Sequence, residues 1–230
     1  MNSHLIGLYS VGLLEVALGT LVAWPIQILL SYIGVVTIII AFCTQFRIHN
    51  VMGKRVNGSH PWWSWILFAN WHLLYRLVAT YRLHPTDPRK VEIHPGWVIS
   101  AWPQPKDHPI PCVAIDMAAE LPLTIKTISY HSCPTLDRGA PSLEELERLV
   151  SFAIRERGRA SETVVNCAQG YGRSAMALSA ILVQTGDFST WRDAFAAIQM
   201  KRPNARLSKS QIEILDQWSS INRGETCTMS

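Results

Sequence analysis

Charge is scarce in this chain, and no one sign of it is concentrated. Of 230 residues, 17% are Asp, Glu, Lys or Arg, and the formal net charge is only +4. A nucleic-acid-binding domain carries a dense basic stripe, so the absence of one sets that class aside. Cysteine is equally sparse. Cys43, Cys112, Cys133, Cys167 and Cys227 are odd in number and fall at no metal-ligand spacing. This excludes a disulfide framework and a zinc site and implies a reducing compartment. No metal and no cofactor are expected. Internal repeats and low-complexity segments are also missing.

Hydrophobicity is abundant, with a mean hydropathy of +0.12. Its source is local. Residues 5–46 are almost continuously apolar and are broken at Pro25. Each half approaches the roughly 20 residues a helix needs to cross a bilayer. The expectation is a transmembrane hairpin over residues 1–47. Gly7, Gly12 and Gly19 suit close helix contact, and Glu15 needs a partner or a polar cavity. A cleaved signal peptide fits less well, because neither a basic leader nor a small-residue cleavage site is present. A buried hairpin in a soluble protein is the plain alternative. Arg47, His49, Lys54 and Arg55 follow the second half, and by the positive-inside rule they put both ends and the remaining chain in the cytosol. An integral membrane protein with a cytosolic domain is the expected arrangement.

Residues 48–83 differ in character. Trp62, Trp63, Trp65, Phe68, Trp71 and Tyr75 mix with Asn70, His72, Arg76 and Arg82. Aromatic and basic residues together suit the headgroup layer, so a helix lying along the surface is expected. A third crossing, which would reverse the orientation of the globular domain, and an aromatic packing helix are the alternatives. From Leu83 the composition turns globular, after a turn-rich linker at 84–88. Short strands are expected at 91–93, 97–100, 112–115, 127–131 and 163–165. Ser142 with Glu145, and Ser208 with Gln211, read as capping boxes that open helices. Strands alternating with helices give an α/β domain over 84–222, with a tail at 223–230.

Within that domain, Cys167 ends a strand of β-branched residues, and Arg173 and Ser174 open an apolar helix. Between them lie Ala168, Gln169, Gly170, Tyr171 and Gly172. The two glycines let the backbone turn tightly, and a loop entering a helix N-terminus directs its N–H groups at one spot. That spot suits a phosphate, and the same field favours a thiolate. Arg173 can grip two phosphate oxygens in a fork. Taken singly, a Cys at a strand end is usually a small core residue and a Ser at a helix start an ordinary cap. Together they point to phosphate-ester cleavage through a covalent cysteinyl phosphate.

The run from Cys167 to Ser174 resembles the CX5R loop of the cysteine-dependent protein phosphatases, specifically the dual-specificity subclass and its membrane-attached plant and bacterial members. The likeness extends from about His94 to Trp218. It takes in Pro95–Trp97, Ala114–Asp116, Thr135–Asp137, Ala140–Ser142 and Arg202–Pro203. It implies a protein-tyrosine-phosphatase-like central sheet flanked by helices. It also implies Cys167 as nucleophile, residues 168–173 as the phosphate cradle, and Ser174 as the hydroxyl that steadies the departing thiolate. The general acid of that family is an Asp on a mobile loop. Asp137, thirty positions before Cys167 and between a strand and a helix, matches by spacing and context. Asp116 competes but follows a deeper strand. Low-molecular-weight tyrosine phosphatases place their Cys before the acid, and rhodanese-type loops differ in length, so neither family fits. Asn166 stands where the resemblance calls for His, which raises the possibility of a slow enzyme or a phosphate-binding pseudophosphatase. The loop carries no Lys, which favours phosphoprotein over inositol-lipid substrates. Phosphotyrosine and/or phosphoserine/threonine on proteins is therefore the expected substrate, and membrane attachment pulls towards the alternative, a phosphoinositide or phosphatidylglycerophosphate phosphatase of the same mechanism.

Overall fold

The computed structural model describes residues 3–22, 24–81 and 87–227. Most of the expected linker, the domain boundary before it and the last residues of the tail lie outside these segments.

Two apolar helices begin the chain, α1 (Ser3–Gly19) and α2 (Ile26–Gln45). Only α2 among the described helices is long and apolar enough to cross a membrane. At 17 residues, α1 is shorter than expected because it ends at Gly19. The two pack closely at paired glycines. A Cβ on Gly34 would lie 2.6 Å from the Gly12 carbonyl oxygen, and one on Gly12 would lie 2.9 Å from that of Gly34. Gly19 is similarly tight against Ser31. Gly7, expected to share this role, meets nothing within 4 Å. Glu15 accepts a 3.3 Å hydrogen bond from Thr37 across the hairpin. The outer faces stay uncovered: Leu13, Leu14, Ile28 and Leu29 are all exposed.

The third apolar stretch forms two helices, α3 (Trp62–Leu67) and α4 (Ala69–Tyr81), divided at Phe68. One face of α4 packs on α2 and the domain through Trp71, His72 and Ala79, while Leu73, Leu74 and Leu77 are exposed.

The domain is built on five strands: β1 (Lys90–His94), β2 (Trp97–Ser100), β3 (Cys112–Ala118), β4 (Thr127–Thr135) and β5 (Thr163–Asn166), in the order β1-β2-β5-β3-β4. β1 pairs antiparallel to β2, and every other pairing is parallel. Parallel strands covered on both faces read as continuous apolar runs, and β3 is buried along its whole length. It extends past Ile115, so Asp116 lies within the strand rather than after it.

Four helices complete the domain: α5 (Leu143–Glu156), α6 (Arg173–Gln184), α7 (Trp191–Lys201) and α8 (Lys209–Cys227). Their apolar faces share one core with Trp97, Ile99, Val113, Ile115 and Val165. Both expected capping boxes form: Ser142 with Glu145, and Ser208 with Gln211. On the opposite face, Val98, Ala114 and Val164 pack with Leu123, Ile125 and Tyr130. Gly58 closes over Leu123 and Tyr130 there, its carbonyl accepting from the Leu123 N–H.

Candidate active site

β5 ends at the carboxyl edge of the sheet, and the chain turns through residues 167–172 into α6. Fully buried α6 residues such as Met176, Leu178 and Ile181 anchor that helix in the core. The loop is therefore fixed at both ends. Of its two glycines, Gly170 alone needs the left-handed backbone (φ +74°), and a Cβ there would lie 3.0 Å from the Ser100 oxygen. Gly172 keeps a negative φ, and a Cβ there would meet the Gln211 side chain at 3.2 Å and the Arg206 carbonyl oxygen at 3.3 Å.

The loop carbonyls are engaged from outside. Ala168 O accepts from the Trp102 N–H, Tyr171 O from the Arg206 N–H, and Gln169 O from Arg202 at 2.7 Å. Arg202, fully buried, also donates to Pro88 O and lies over the Tyr171 ring. Burial lowers its pKa. With the carbonyls held outward, the amide edge of the loop turns inward. The Gly170 N–H donates to Cys167 Sγ at 3.2 Å, and Ser174 Oγ lies 3.4 Å from the same sulfur. Cys167 is 3% exposed, and it faces the loop and a cavity of about 340 Å³.

Arg173 is 1% exposed and aimed into this site. Its fork does not stand open, as the sequence suggested. Glu120, in the turn after β3, takes both ends of it, with Oε2 2.9 Å from Nη1 and Oε1 2.6 Å from Nη2. Nη1 also donates to Thr135 O at 2.6 Å. Burial works to lower the pKa of this guanidinium, but the Glu120 carboxylate more than offsets it and leaves it well raised. Nε is buried and has no partner among the described residues. Glu120 thus fixes the orientation of Arg173 and leaves one donor for an anion.

Asp137 Oδ1 lies 3.5 Å from Arg173 Nη2, and its side chain is 44% exposed at the cavity. Its loop is tied down rather than loose. The Arg138 carbonyl accepts from Ser208 and Ser210, and the Gly139 carbonyl accepts from Gln211, all at the start of α8. Tyr75 of α4 hydrogen-bonds Asp137, and burial together with the Asp137 and Glu120 charges pushes its hydroxyl pKa far up. Asp116 has no place in the cavity. It is 2% exposed and pairs with Lys54 at 2.6 Å.

That pair corrects the reading of the juxtamembrane cations. Lys54 is fully buried and also donates to Ala118 O and Leu121 O, while His49 is buried against Gly139. The opposite oxygen of Asp116 accepts from Asn166 Nδ2 at 2.9 Å. Asn166, the residue before Cys167, is therefore held through Asp116 by a charge from outside the strand-and-helix domain.

The cavity walls were not foreseeable from the loop motif. Leu8 of α1, Ile40 of α2, and Trp71 and Tyr75 of α4 stand opposite Cys167. His108, Cys112 and Glu162, none of which lines the cavity, bring donor atoms within 4.8 Å of one another, a grouping the linear spacing hides. Glu162 there is already paired with Lys90 and His108. Burial pushes the Cys112 thiol up to about 11.

No family model matches the chain. Over 80 residues, 35% of its length, the chain is 34% identical to the phosphatidylglycerophosphatase and protein-tyrosine phosphatase 1 of Rattus norvegicus and 31% identical to that of Mus musculus. The matched stretch spans 41% of those relatives. Among solved structures, human DUSP28 superposes with a TM-score of 0.52 at 16% identity, over 60% of this chain and 98% of that one. PTPMT1 in complex with PI(5)P superposes at 0.52 with 22% identity, over 60% and 99%. A human tyrosine phosphatase-like serine/threonine/tyrosine-interacting protein reaches 0.51 at 19% identity, over 59% and 99%. The domain has the dual-specificity phosphatase fold, as its motifs implied.

Proposed function

We propose that this chain, whose α/β domain has the dual-specificity phosphatase fold, is a membrane-anchored cysteine-dependent phosphatase that hydrolyses phosphate monoesters. The observation that carries this reading is the convergence of three groups on one cavity, with a fourth, Ser174, buried beside the first. They are the Cys167 sulfur under the Gly170 amide, Ser174 beside it, the buried Arg173 with an unpartnered Nε, and Asp137 at the rim.

The phosphate sits on the amides of residues 168–172 and on Arg173. The Cys167 thiolate attacks phosphorus, forming the S–P bond as the P–O bond to the alcohol breaks. Asp137 gives its proton to the departing oxygen, which leaves as ROH. Water then attacks phosphorus and returns a proton to Asp137. The S–P bond breaks, inorganic phosphate leaves, and Ser174 donates to the re-formed thiolate. Glu120 acts through Arg173 as a positioning residue.

Residues 1–47 form the membrane hairpin in this reading, 48–83 a juxtamembrane segment with α4 at the surface, 84–222 the catalytic domain and 223–230 a tail. The exposed apolar flanks of α1 and α2 support it, because a soluble fold would leave that surface in water. Exposed Arg47 and Arg55 keep the cytosolic orientation favoured after Lys54 and His49 are withdrawn. A loop without Lys supports phosphoprotein substrates. A cavity walled by Leu8, Ile40 and Trp71 supports lipid ones. Asn166 keeps a binding-only reading alive, though Cys167, Arg173, Ser174 and Asp137 are all in place against it.

Replacing Cys167→Ser in the full chain should abolish release of phosphate from an aryl phosphate. Wild-type protein as inert as the variant would overturn the enzyme reading.

A further inference from the structure

A second hollow, of about 400 Å³, lies where the hairpin meets the domain. His4 of α1, Arg47 and His49 beyond α2, Arg138 in the loop after β4, and Lys209 at the start of α8 all border it. It is not the phosphate cradle: Cys167, the residues from 168 to 173 and Asp137 do not line it.

The charge around this hollow is unbalanced. Arg47, Arg138 and Lys209 face a single carboxylate, Glu213, which lies 3.8 Å from Lys209. Neither guanidinium makes an ion pair among the described residues. Arg47 and Arg138 are also the two non-glycine residues with left-handed backbone among those described, at φ +57° and +58°. Two conformations that residues with side chains rarely take therefore border one hollow.

His49 adds an independent sign. It is 8% exposed, and neither ring nitrogen makes a hydrogen bond of ordinary geometry among the described residues, although the Ala140 backbone lies near. A buried imidazole without a partner costs free energy unless a group from outside the chain supplies one. Cations arriving from three separate elements need an anion whose oxygens point in several directions. A carboxylate offers two oxygens in one plane, whereas a phosphate group offers a tetrahedral set.

From this cluster we propose a second anion site, separate from the cradle at Cys167, that takes a phosphate group through Arg47, Arg138, Lys209 and the imidazole of His49. The site does not depend on the chemistry at Cys167. A bound phosphate ties the end of the hairpin to the loop that carries Asp137 and to α8. An acidic phospholipid headgroup and free inorganic phosphate present the same group. Arg47 lies two residues beyond α2, which in the membrane reading above is the headgroup layer.

The test follows the thermal unfolding midpoint of the full chain in dodecyl maltoside. Inorganic phosphate, dioctanoyl phosphatidylglycerol and dioctanoyl phosphatidylcholine are titrated separately, since a ligand that binds only the folded chain raises the midpoint. Phosphate on the Cys167 loop contributes its own share, so the difference between wild type and variant reads the second site alone. Arg47→Asn and Arg138→Asn remove a charge and keep a residue that tolerates left-handed backbone. Each should weaken binding at the second site by about tenfold, the worth of one charge-assisted hydrogen bond. Arg55→Asn removes an exposed cation outside the hollow and should change binding by less than about twofold. Variant-sensitive stabilisation by phosphatidylglycerol alone supports a lipid headgroup as the occupant, and by phosphate alone supports the free ion. Sensitivity with both supports a site that reads the phosphate group in either form. Shifts that are the same in wild type and both Asn variants overturn the site, because all the binding then lies elsewhere. Losses in Arg55→Asn as large as in the other two overturn it as well, because surface charge alone would explain them. So does a phosphatidylcholine response equal to that of phosphatidylglycerol without a phosphate response, because the detergent-like chains would then be acting.

Discussion

Replacing Lys54→Met is the sharpest test of how the segment between the apolar hairpin and the domain supports the candidate site. The ammonium is fully buried and makes three short contacts, at 2.6 Å to Asp116, 2.6 Å to Ala118 O and 2.7 Å to Leu121 O. Methionine fills the stem volume but leaves the Asp116 carboxylate buried, without its counter-charge, and two carbonyls short of a donor. Breaking a buried pair from one side costs about 3–5 kcal/mol, against a typical total stability of about 5–15 kcal/mol. At roughly 2–4 °C per kcal/mol for a chain of this size, the midpoint of thermal unfolding should drop by about 6–20 °C. Tryptophan fluorescence of the detergent-solubilised full chain reads this directly. The double variant Lys54→Met/Asp116→Asn should recover most of the loss. It removes the stranded charge and keeps an acceptor for the Asn166 amide and the Ala118 N–H. A single variant within about 2 °C of wild type, or a double variant no better than the single, would refute the reasoning.

Asp137→Asn should lower kcat on phenyl phosphate by about 10²–10⁴-fold. A loss below about tenfold would assign the proton to another group. Acid stability should depend on two buried histidines. Burial holds His60 down to about 4, with one ring nitrogen bonded to Ala119 O at 2.8 Å and the other without a partner among the described residues. His72, which packs against it edge to face, is lowered as well, again by burial first. A folded-state pKa below the usual value for histidine means the stabilisation is complete above about pH 6.5 and is lost as pH falls towards 4, by up to about 1.4 kcal/mol per pH unit for each group. The urea midpoint should therefore fall between pH 7 and pH 5, and His60→Gln should flatten that slope. A flat wild-type profile would contradict it.

Local chemistry made the candidate phosphate loop legible without coordinates. The strand at 163–166, the cysteine, the glycine that needs positive φ, and the arginine and serine opening a helix are neighbours along the chain, and short-range backbone rules fix what they form. The capping boxes at Ser142 and Ser208 belong to the same category. So does the thirty-residue separation that singled out Asp137, once a family resemblance had assigned that separation a role. The apolar hairpin was equally plain, because hydrophobicity over twenty residues is a one-dimensional signal.

Only the fold could decide what reaches the site from a distance. Glu120 is an unremarkable residue in a turn until β3 carries it beside Arg173, fifty-three positions away. Lys54 counted as one of the cations flanking an apolar span, which the positive-inside rule places in the cytosol, yet a pocket of two carbonyls and Asp116 buries it. Tyr75, Trp71 and Leu8 matched a membrane pattern and became walls of the cavity. Sequence patterns record which surface a residue prefers, apolar or polar, but not which other surface it meets. Long-range contacts in the folded chain determine that, and here they join the two apolar N-terminal helices to the loop that carries Cys167.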